Sequence, residues 1–216
     1  MSSRQVTVVD AGVGNLGNVR RALEALGAEV ALSRDPERIR RSRCLVLPGV
    51  GAFRPPREAL RGAPEQALRE ALEAGAWLLG ICVGYQLLFE AGEEHGTTEG
   101  LGWLPGRVTR LAAEPRSEPP LPLPHIGWNR LEPRAEHPLL AGIAPGSFVY
   151  FVHSYAPENV PADALLASTF YGRPFAAVAA RGRVAGTQFH PEKSDRVGLK
   201  LLENFLEMAH GSAASA

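Results

Sequence analysis

The stretch WLLGICVGYQ, residues 77–86, carries the pattern that decides the fold. Residues 77–79 are apolar at every position, which is typical of a central strand covered by helices on both faces. This strand continues into Gly-x-Cys-x-Gly at residues 80–84 and then into a helix predicted over residues 85–90. Small residues on either side of a nucleophile permit the sharp strand-to-helix turn known as a nucleophile elbow. The stretch therefore predicts an α/β fold with Cys82 at the tip of such a turn.

Cys82 has the surroundings of a reactive thiolate. Backbone amides that open the following helix favour negative charge on the sulfur, and the Val83 amide is predicted to point toward an oxyanion that develops beside it. A free cysteine is more often a small buried apolar side chain. The flanking glycines argue against that role for Cys82, whereas Cys44, inside the apolar run at residues 44–47, fits it.

A cysteine nucleophile needs a base that a third group holds in place, and His190 is the candidate. It ends a predicted strand, and the carboxylate of Glu192 follows two positions later. Read alone, His-Pro-Glu also fits a pair of metal ligands or a capped turn, but no further ligand cluster supports a metal. His95, His137 and His210 lie in loop-like or terminal contexts, so ordinary surface roles are predicted for them.

Short β-branched runs alternate with helical patterns through the first third of the chain, which predicts parallel strands joined by crossover helices. Strands are predicted at residues 6–9, 30–32, 44–47, 77–79, 126–131, 148–152, 175–179 and 184–188. Helices are predicted at residues 16–26 and 195–208. A third helical stretch is interrupted by Gly62 and Pro64, and the proline-rich residues 115–124 are predicted to form an exposed loop.

Length and charge define a single domain without a nucleic-acid partner. The chain has 216 residues, and the domain is assigned to residues 1–210 with a flexible tail at residues 211–216. Its 23 Lys and Arg residues balance 23 Asp and Glu residues, so the clustered positive charge that phosphates require is absent. The basic run at residues 38–43 is interpreted as the solvated face of a helix.

The sequence also argues against a membrane or secreted protein. Residues 1–5 are polar and lead directly into the first predicted strand, and no apolar run approaches the ~20 residues of a membrane span. Two cysteines are too few for a disulfide framework. We therefore expect a cytoplasmic protein.

Two motifs together, at residues 80–86 and 187–192, resemble those of the class I, triad-type glutamine amidotransferases. Further segments resemble one family in that class, the glutaminase subunit of imidazole glycerol phosphate synthase, which serves histidine biosynthesis. These segments are residues 10–16, 48–53, 125–129, 150–155 and 190–194. The resemblance spans nearly the whole chain and implies a single-domain, flavodoxin-like three-layer α/β fold with a central, mostly parallel sheet.

The resemblance also implies a role for each site residue. Cys82 attacks the glutamine amide, His190 relays the proton and Glu192 orients His190, so that a γ-glutamyl thioester forms and ammonia is released. The implied oxyanion hole consists of backbone amides at Val83, Val50 and Gly51. The implied contacts to glutamine are Gly49, Gln86, Glu94, Ser154 and Tyr155.

In the family that the chain resembles, ammonia passes to a separate (β/α)₈ cyclase subunit within a heterodimer, and no cofactor is used. The contact residues implied here are Gly12, Asn15, Trp128, Tyr150 and Lys193. Trp128 also fits a buried core aromatic, and Lys193 also fits a solvated surface charge. Both alternatives stay open at the level of sequence.

The chain departs from the family pattern at two positions. Tyr85 stands where methionine or histidine is more usual, and Ala11 replaces a tyrosine, which affects the expected shape of the glutamine pocket and part of the subunit contact.

Three other functions compete with this interpretation. A glutaminase subunit of another synthase, such as the one that makes pyridoxal phosphate, is disfavoured by the segments around Trp128 and Tyr150. A non-catalytic regulatory module is disfavoured by the intact triad. An α/β hydrolase or peptidase orders its residues as nucleophile, acid and base, which differs from the order here.

Overall fold

The computed structural model describes residues 4–111 and 121–211, which form an α/β domain around a nine-stranded sheet. The strands are β1 (Arg4–Val9), β2 (Ala28–Ser33), β3 (Cys44–Gly49), β4 (Trp77–Cys82), β5 (Ala91–Gly92), β6 (Thr98–Glu99), β7 (Arg107–Arg110), β8 (His125–Pro133), β9 (Ser147–His153), β10 (Tyr155–Glu158), β11 (Leu165–Tyr171), β12 (Arg173–Arg181) and β13 (Val184–Thr187). The helices are α1 (Leu16–Ala25), α2 (Pro36–Arg41), α3 (Arg54–Leu60), α4 (Ala63–Glu73), α5 (Val83–Gln86) and α6 (Asp195–Gly211), with 3-10 turns at Pro138–Leu140 and Pro191–Lys193.

The large sheet has the order β2-β1-β3-β4-β13-β12-β11-β8-β9. The strands from β2 to β13 pair in parallel. From β13 to β9 every pairing is antiparallel, so the sheet is parallel in one half and antiparallel in the other. A smaller sheet has the order β10-β7-β5-β6. Because β4 lies between β3 and β13 and runs parallel to both, the carboxyl ends of these three strands meet at one edge.

The core lies on both faces of the parallel strands, as the apolar runs predict. Every residue of β3 is buried, and β4 is buried from Leu78 onward. The apolar side of α6 contributes Leu201, Leu202, Phe205 and Leu206, all of them fully buried. Covering helices leave no room for polar side chains on these strands, which explains their continuous apolar sequence.

The turn after β4 packs directly on the end of β3. A Cβ atom at Gly84 would lie 1.8 Å from the Leu47 carbonyl oxygen, and one at Gly49 would lie 2.7 Å from the Gly84 nitrogen. A Cβ atom at Gly80 would lie 2.7 Å from the Tyr85 Cα. Only glycine fits at these positions, so the glycines on both sides of the elbow have a steric cause.

Several elements differ from the sequence-based expectation. The helix predicted at residues 85–90 is α5, which begins at Val83 and ends at Gln86. It stops because the carbonyls of residues 87–90 accept hydrogen bonds from amides at residues 100–104. No predicted strand corresponds to β5, β6, β7, β10 or β11. Of these, β11 belongs to the large sheet, where it lies between β8 and β12 with an irregular register.

The remaining expectations concern connections and termini. The helical stretch is interrupted at Gly62, between α3 and α4. Pro64 lies in the first turn of α4. Most of the predicted proline-rich loop, and the predicted tail from residue 212 onward, fall outside the described residues. Among the residues that the structure describes, no helix is both long and apolar enough to cross a membrane.

Candidate active site

Cys82 is the last residue of β4 and immediately precedes α5. Its backbone has φ 55° and ψ −110°, a strained conformation for a residue with a side chain. The residue is 2% exposed. Its Sγ lies 4.0 Å from the Val152 carbonyl oxygen and 3.9 Å from the Gln188 Nε2. Strain of this kind is characteristic of a nucleophile held at a sharp turn.

His190 follows the neighbouring strand β13, which brings its ring to the same edge of the sheet. Its Nδ1 donates to Glu192 Oε1 at 2.8 Å, because an ionised carboxylate accepts only. Both side chains are almost fully buried, with exposures of 2% and 1%. Nε2 is buried and makes no regular hydrogen bond within residues 4–111 and 121–211, so it is the ring nitrogen free to exchange a proton.

The backbone around His190 is tied to β9. The His190 amide donates to the Tyr150 carbonyl at 3.0 Å. Ser194 Oγ donates to the His190 carbonyl at 2.6 Å and accepts from the Tyr150 amide at 2.9 Å. These bonds fix the position of the imidazole relative to the sheet.

Charge around His190 favours the imidazolium. Burial opposes a charged ring, but interaction with Cys82 and the hydrogen bond to Glu192 outweigh it and raise the pKa of His190 to about 10. A protonated ring that shares a cavity with a cysteine is the arrangement of a general acid beside a nucleophile.

Cys82 and His190 open onto one cavity of about 240 Å³. The other residues that line it are Val50, Gly51, Val83, Gln86, Glu94, Pro124, Val152, His153, Ser154 and Tyr155. The structure thus brings together all the residues predicted for the oxyanion hole and the glutamine pocket except Gly49, which is buried against Val83 and Gly84. A larger cleft of about 1050 Å³, lined by β1, β2, α2 and the end of α6, contains neither Cys82 nor His190.

Side-chain amides connect the cavity wall to the nucleophile. Gln86 Nε2 donates to the Tyr155 carbonyl at 2.9 Å and to Gln188 Oε1 at 3.0 Å. Gln188 in turn presents its Nε2 to the Cys82 sulfur. Glu94 also lines the cavity, and its Oε2 accepts from the Phe53 amide at 2.8 Å, so Glu94 anchors the segment that follows β3.

Comparison with known proteins identifies the family to which this site belongs. The family model described as glutamine amidotransferase class-I matches residues 7–209. The chain belongs to this family. Imidazole glycerol phosphate synthase subunit HisH of Symbiobacterium thermophilum is 48% identical over 205 residues, which cover 94% of each chain. The protein of the same name from Salinibacter ruber is 47% identical over 201 residues, which cover 92% of each chain.

Solved structures agree with this class-I glutamine amidotransferase in fold. PurLQS from Thermotoga maritima has a TM-score of 0.74 at 19% identity, covering 96% of this chain and 99% of that chain. A glutamine amidotransferase from the same organism has a TM-score of 0.65 at 16% identity, covering 95% of this chain and 97% of that chain. At such low identity the likeness shows the fold alone, which is the single-domain α/β fold expected from the sequence.

His153 and Gln188 line or support the cavity of this amidotransferase and were not among the predicted site residues. Both lie inside motifs that signalled the family, but neither stands beside a carboxylate, the feature that distinguishes His190. His153 Nδ1 contacts the Tyr155 carbonyl at 2.9 Å, and its Nε2 lies 3.1 Å from His125 Nδ1. Burial is the main cause that lowers the pKa of His153 to about 3 and the pKa of His125 to about 4.

Three of the predicted contact residues form an exposed cluster. The Trp128 and Tyr150 rings are 6.0 Å apart, and Lys193 Nζ lies 5.7 Å from the centre of the Tyr150 ring. Trp128 is 52% exposed, so the alternative of a buried core aromatic is wrong. The other two, Gly12 and Asn15, lie in the loop before α1, where Asn15 Oδ1 accepts from the Asn18 amide at 3.4 Å.

The departures from the family pattern lie away from the cavity. The Tyr85 ring is fully buried, its hydroxyl donates to the Ala176 carbonyl at 3.4 Å, and a Cβ atom at Gly186 would lie 2.2 Å from its Cδ2. Tyr85 therefore fills space under β13 instead of shaping the glutamine pocket. Ala11 is buried as well.

The cysteine and histidines that were predicted to lie outside the site mostly have structural roles. Cys44 is buried in β3, and burial raises the pKa of its thiol to about 12. His95 is exposed, but His137 and His210 are partly buried, which differs from the predicted surface roles. His137 Nδ1 accepts from the Leu139 amide at 3.2 Å and so caps a 3-10 turn. Within the described ranges, no group of three or more His, Cys, Asp or Glu side chains is placed to hold a metal ion.

Proposed function

We propose that this chain is the glutaminase subunit of imidazole glycerol phosphate synthase. In this role it hydrolyses glutamine and delivers ammonia to a cyclase subunit. The observation that carries the catalytic part is Cys82 at a strained elbow, sharing a cavity with His190, whose Nδ1 lies 2.8 Å from Glu192 Oε1. The choice of synthase is supported by relatives of that name, including the Bacillus subtilis protein, which is 44% identical over 205 residues.

In the first half-reaction, the Cys82 thiolate attacks the side-chain amide carbon of glutamine. The carbonyl oxygen becomes an oxyanion, and His190 then gives its Nε2 proton to the departing nitrogen. The carbon–nitrogen bond breaks, ammonia leaves and a γ-glutamyl thioester remains on Cys82. Glu192 holds the proton on Nδ1 throughout, which keeps Nε2 directed to the reaction.

In the second half-reaction, water replaces the sulfur. His190, now neutral, accepts a proton from the attacking water and returns the pair to its starting charge state as glutamate leaves. The oxyanion in both steps requires backbone donors, which we assign to the Val83 amide and to the segment containing Val50 and Gly51. One such donor contributes ~3 to 4 kcal/mol of transition-state stabilisation.

Glutamine recognition is assigned to other residues that line the same cavity. The carboxylate of Glu94 and the backbone at Ser154 and Tyr155 offer partners for the charged α-amino group and the α-carboxylate. Gln86 supports the wall through the Tyr155 carbonyl. Gly49 contributes indirectly, because its lack of a side chain lets the β3 end approach the elbow.

The face for the cyclase subunit is assigned to the exposed side of β8 and β9. Ile126, Trp128 and Phe148 are 60%, 52% and 51% exposed, an apolar surface that a lone domain rarely leaves in water. Val152, at one end of the same strands, lines the catalytic cavity. A (β/α)₈ partner on this face would receive ammonia before bulk water protonates it. Gly12 and Asn15 are proposed as further contacts to the cyclase subunit. The cytoplasmic location of the protein stays a prediction.

The central test is glutamate release by the wild-type chain, alone and with the cyclase subunit, compared with Cys82→Ala. We expect the substitution to lower turnover by about 10⁴-fold or more, as for the nucleophile of other triads. The fold and partner binding should survive. Cys44→Ala is the matched control, since it removes a buried thiol remote from the cavity and should keep full activity. Undiminished hydrolysis by Cys82→Ala would refute the assignment.

The second test concerns the partner face. Trp128→Ala should weaken binding of the cyclase subunit by about 10- to 100-fold, because an exposed aromatic anchor typically contributes strongly to an interface. Binding is measured by titration calorimetry, with Leu32→Ala, on the edge strand β2, as the control for an exposed apolar side chain elsewhere. Equal affinities for wild type and Trp128→Ala would exclude this face.

A further inference from the structure

A continuous series of hydrogen bonds leads from β8 to the wall of the cavity, and its first member fixes the direction of all the others. The Asn129 Oδ1 accepts from the Arg130 amide at 2.8 Å, and Nδ2 donates to the Phe170 carbonyl at 3.0 Å. These two backbone partners determine which end of the side-chain amide is nitrogen. The second hydrogen on Nδ2 therefore points to His125 Nε2, 3.3 Å away.

The two imidazoles continue the series in the same direction. His125 Nε2 accepts from Asn129, so a neutral His125 carries its proton on Nδ1 and donates it to His153 Nε2 at 3.1 Å. His153 then carries its own proton on Nδ1 and donates to the Tyr155 carbonyl at 2.9 Å. One tautomer of each ring satisfies every contact.

Aromatic side chains pack against both rings. His125 is stacked between Phe151 and Tyr171, with ring centres 5.0 Å and 3.9 Å away. Phe175 packs edge-on against His153, with ring centres 5.1 Å apart. Burial also lowers the pKa of both imidazoles, which keeps them neutral near pH 7.

The series ends on a carbonyl of the proposed glutamine pocket. The Tyr155 oxygen accepts from His153 and also from Gln86 Nε2, so two donors of the cavity wall converge on one peptide. His153 lines the cavity, yet both of its nitrogens are engaged, and it has no free nitrogen with which to accept a proton from substrate. Its task therefore differs from that of His190.

We propose that His153 is a positioning residue for glutamine binding, which holds the Tyr155 peptide in place at the end of the series Asn129–His125–His153. The proposal rests on the proposed glutaminase function, because the Tyr155 peptide is assigned to the glutamine pocket. A residue of this kind sets the affinity for glutamine, while Cys82 and His190 set the rate of the chemical steps.

The test is steady-state glutamate release by the complex with the cyclase subunit, measured over a range of glutamine concentrations. His153→Phe keeps a ring of similar shape but removes the donor to Tyr155. We expect KM to rise about tenfold with kcat within about threefold of wild type, the pattern of lost ground-state binding. His153→Asn places an amide donor near the Nδ1 position and should restore KM to within about threefold of wild type.

Phe175→Leu is the matched control, since it removes an aromatic neighbour of His153 without a hydrogen bond. It should lower the melting temperature and leave KM unchanged. An unchanged KM in His153→Phe, or an equal rise in Phe175→Leu, would overturn the proposal. If His153→Phe does not fold, Asn129→Ala decides, with an expected rise in KM of about threefold. Wild type that fails to hydrolyse glutamine would instead refute the proposed function.

Discussion

Two histidines line the same cavity, and their neighbours give them opposite character. His190 is 2% exposed and His153 is 6% exposed, so the extent of burial does not distinguish them. Burial disfavours charge on both rings. For His190, contact with Cys82 and Glu192 overcomes burial and raises the pKa to about 10, whereas burial, together with charge on His125 and His190, lowers the pKa of His153 to about 3. The carboxylate of Glu192 beside His190, and not the extent of burial, distinguishes the two rings.

Replacing Glu192 with glutamine should have the largest effect, because it removes the charged neighbour that distinguishes His190 from His153. The substitution keeps an oxygen for Nδ1 but removes the negative charge, so the pKa of His190 should fall. We expect kcat to drop by about 10³- to 10⁴-fold, as for the equivalent change in other triads. Glutamate release and nuclear magnetic resonance titration of the His190 ring check the two effects. Wild-type turnover in Glu192→Gln would mean that Glu192 does not support His190.

The neutral imidazoles of His125 and His153 should make the folded protein less stable in acid. An unfolded histidine has a pKa near 6.5, while folded His125 and His153 have pKa values of about 4 and about 3. Between these values the unfolded chain binds protons that the folded chain does not. The free energy of unfolding should therefore be lost as pH falls from 6.5 through 4. His190 has the reverse sign, since its contribution is complete below pH 6.5 and is lost as pH rises through about 10.

Thermal unfolding of wild type and His153→Phe at pH 7 and pH 4.5 measures the acid effect. The variant has one buried neutral histidine fewer, so its melting temperature should decrease less on acidification. Carboxylates contribute equally to both proteins and cancel in the comparison. Parallel decreases for the two proteins would contradict the neutral state of His153.

The smallest expected effect comes from giving the neutral His125 a carboxylate neighbour, as His190 has in Glu192. Asn129→Asp places a carboxylate beside Nε2 of His125, as Glu192 places one beside Nδ1 of His190. The pKa of His125 should rise from about 4 by about one to two pH units, because Asn129 is partly exposed and solvent screens the new charge. Ring titration by nuclear magnetic resonance detects this shift. An unchanged pKa would show that partner charge does not control these rings.

The catalytic centre was predictable because its signals are local. Glycines two residues on either side of Cys82 mark the elbow, and Glu192 stands two residues from His190. The structure adds the steric reason for the glycines, which is the approach of Gly84 to the Leu47 carbonyl. The parallel strands were equally visible, since strands buried on both faces leave long apolar runs.

The parts that were not predicted depend on contacts between distant residues. His125 and His153 are 28 positions apart, and their interaction exists only because β8 and β9 pair in the observed register. Strand β11 contains Ala167, Ser168 and Thr169 in its middle, which hides its burial from an apolar pattern. The early end of α5 follows from hydrogen bonds to residues 100–104, which no local propensity reports.

The segment after β3 is tied at both ends. The Leu47 carbonyl is pressed against Gly84, and the Phe53 amide is bonded to Glu94. Between these ties, Val50 is 37% exposed and Gly51 has φ +86°. With its ends held, a rotation of single peptide planes within this stretch would leave the outline of the molecule as it was. Small-angle scattering would not detect such a change, whereas hydrogen exchange at the Val50 and Gly51 amides would detect it.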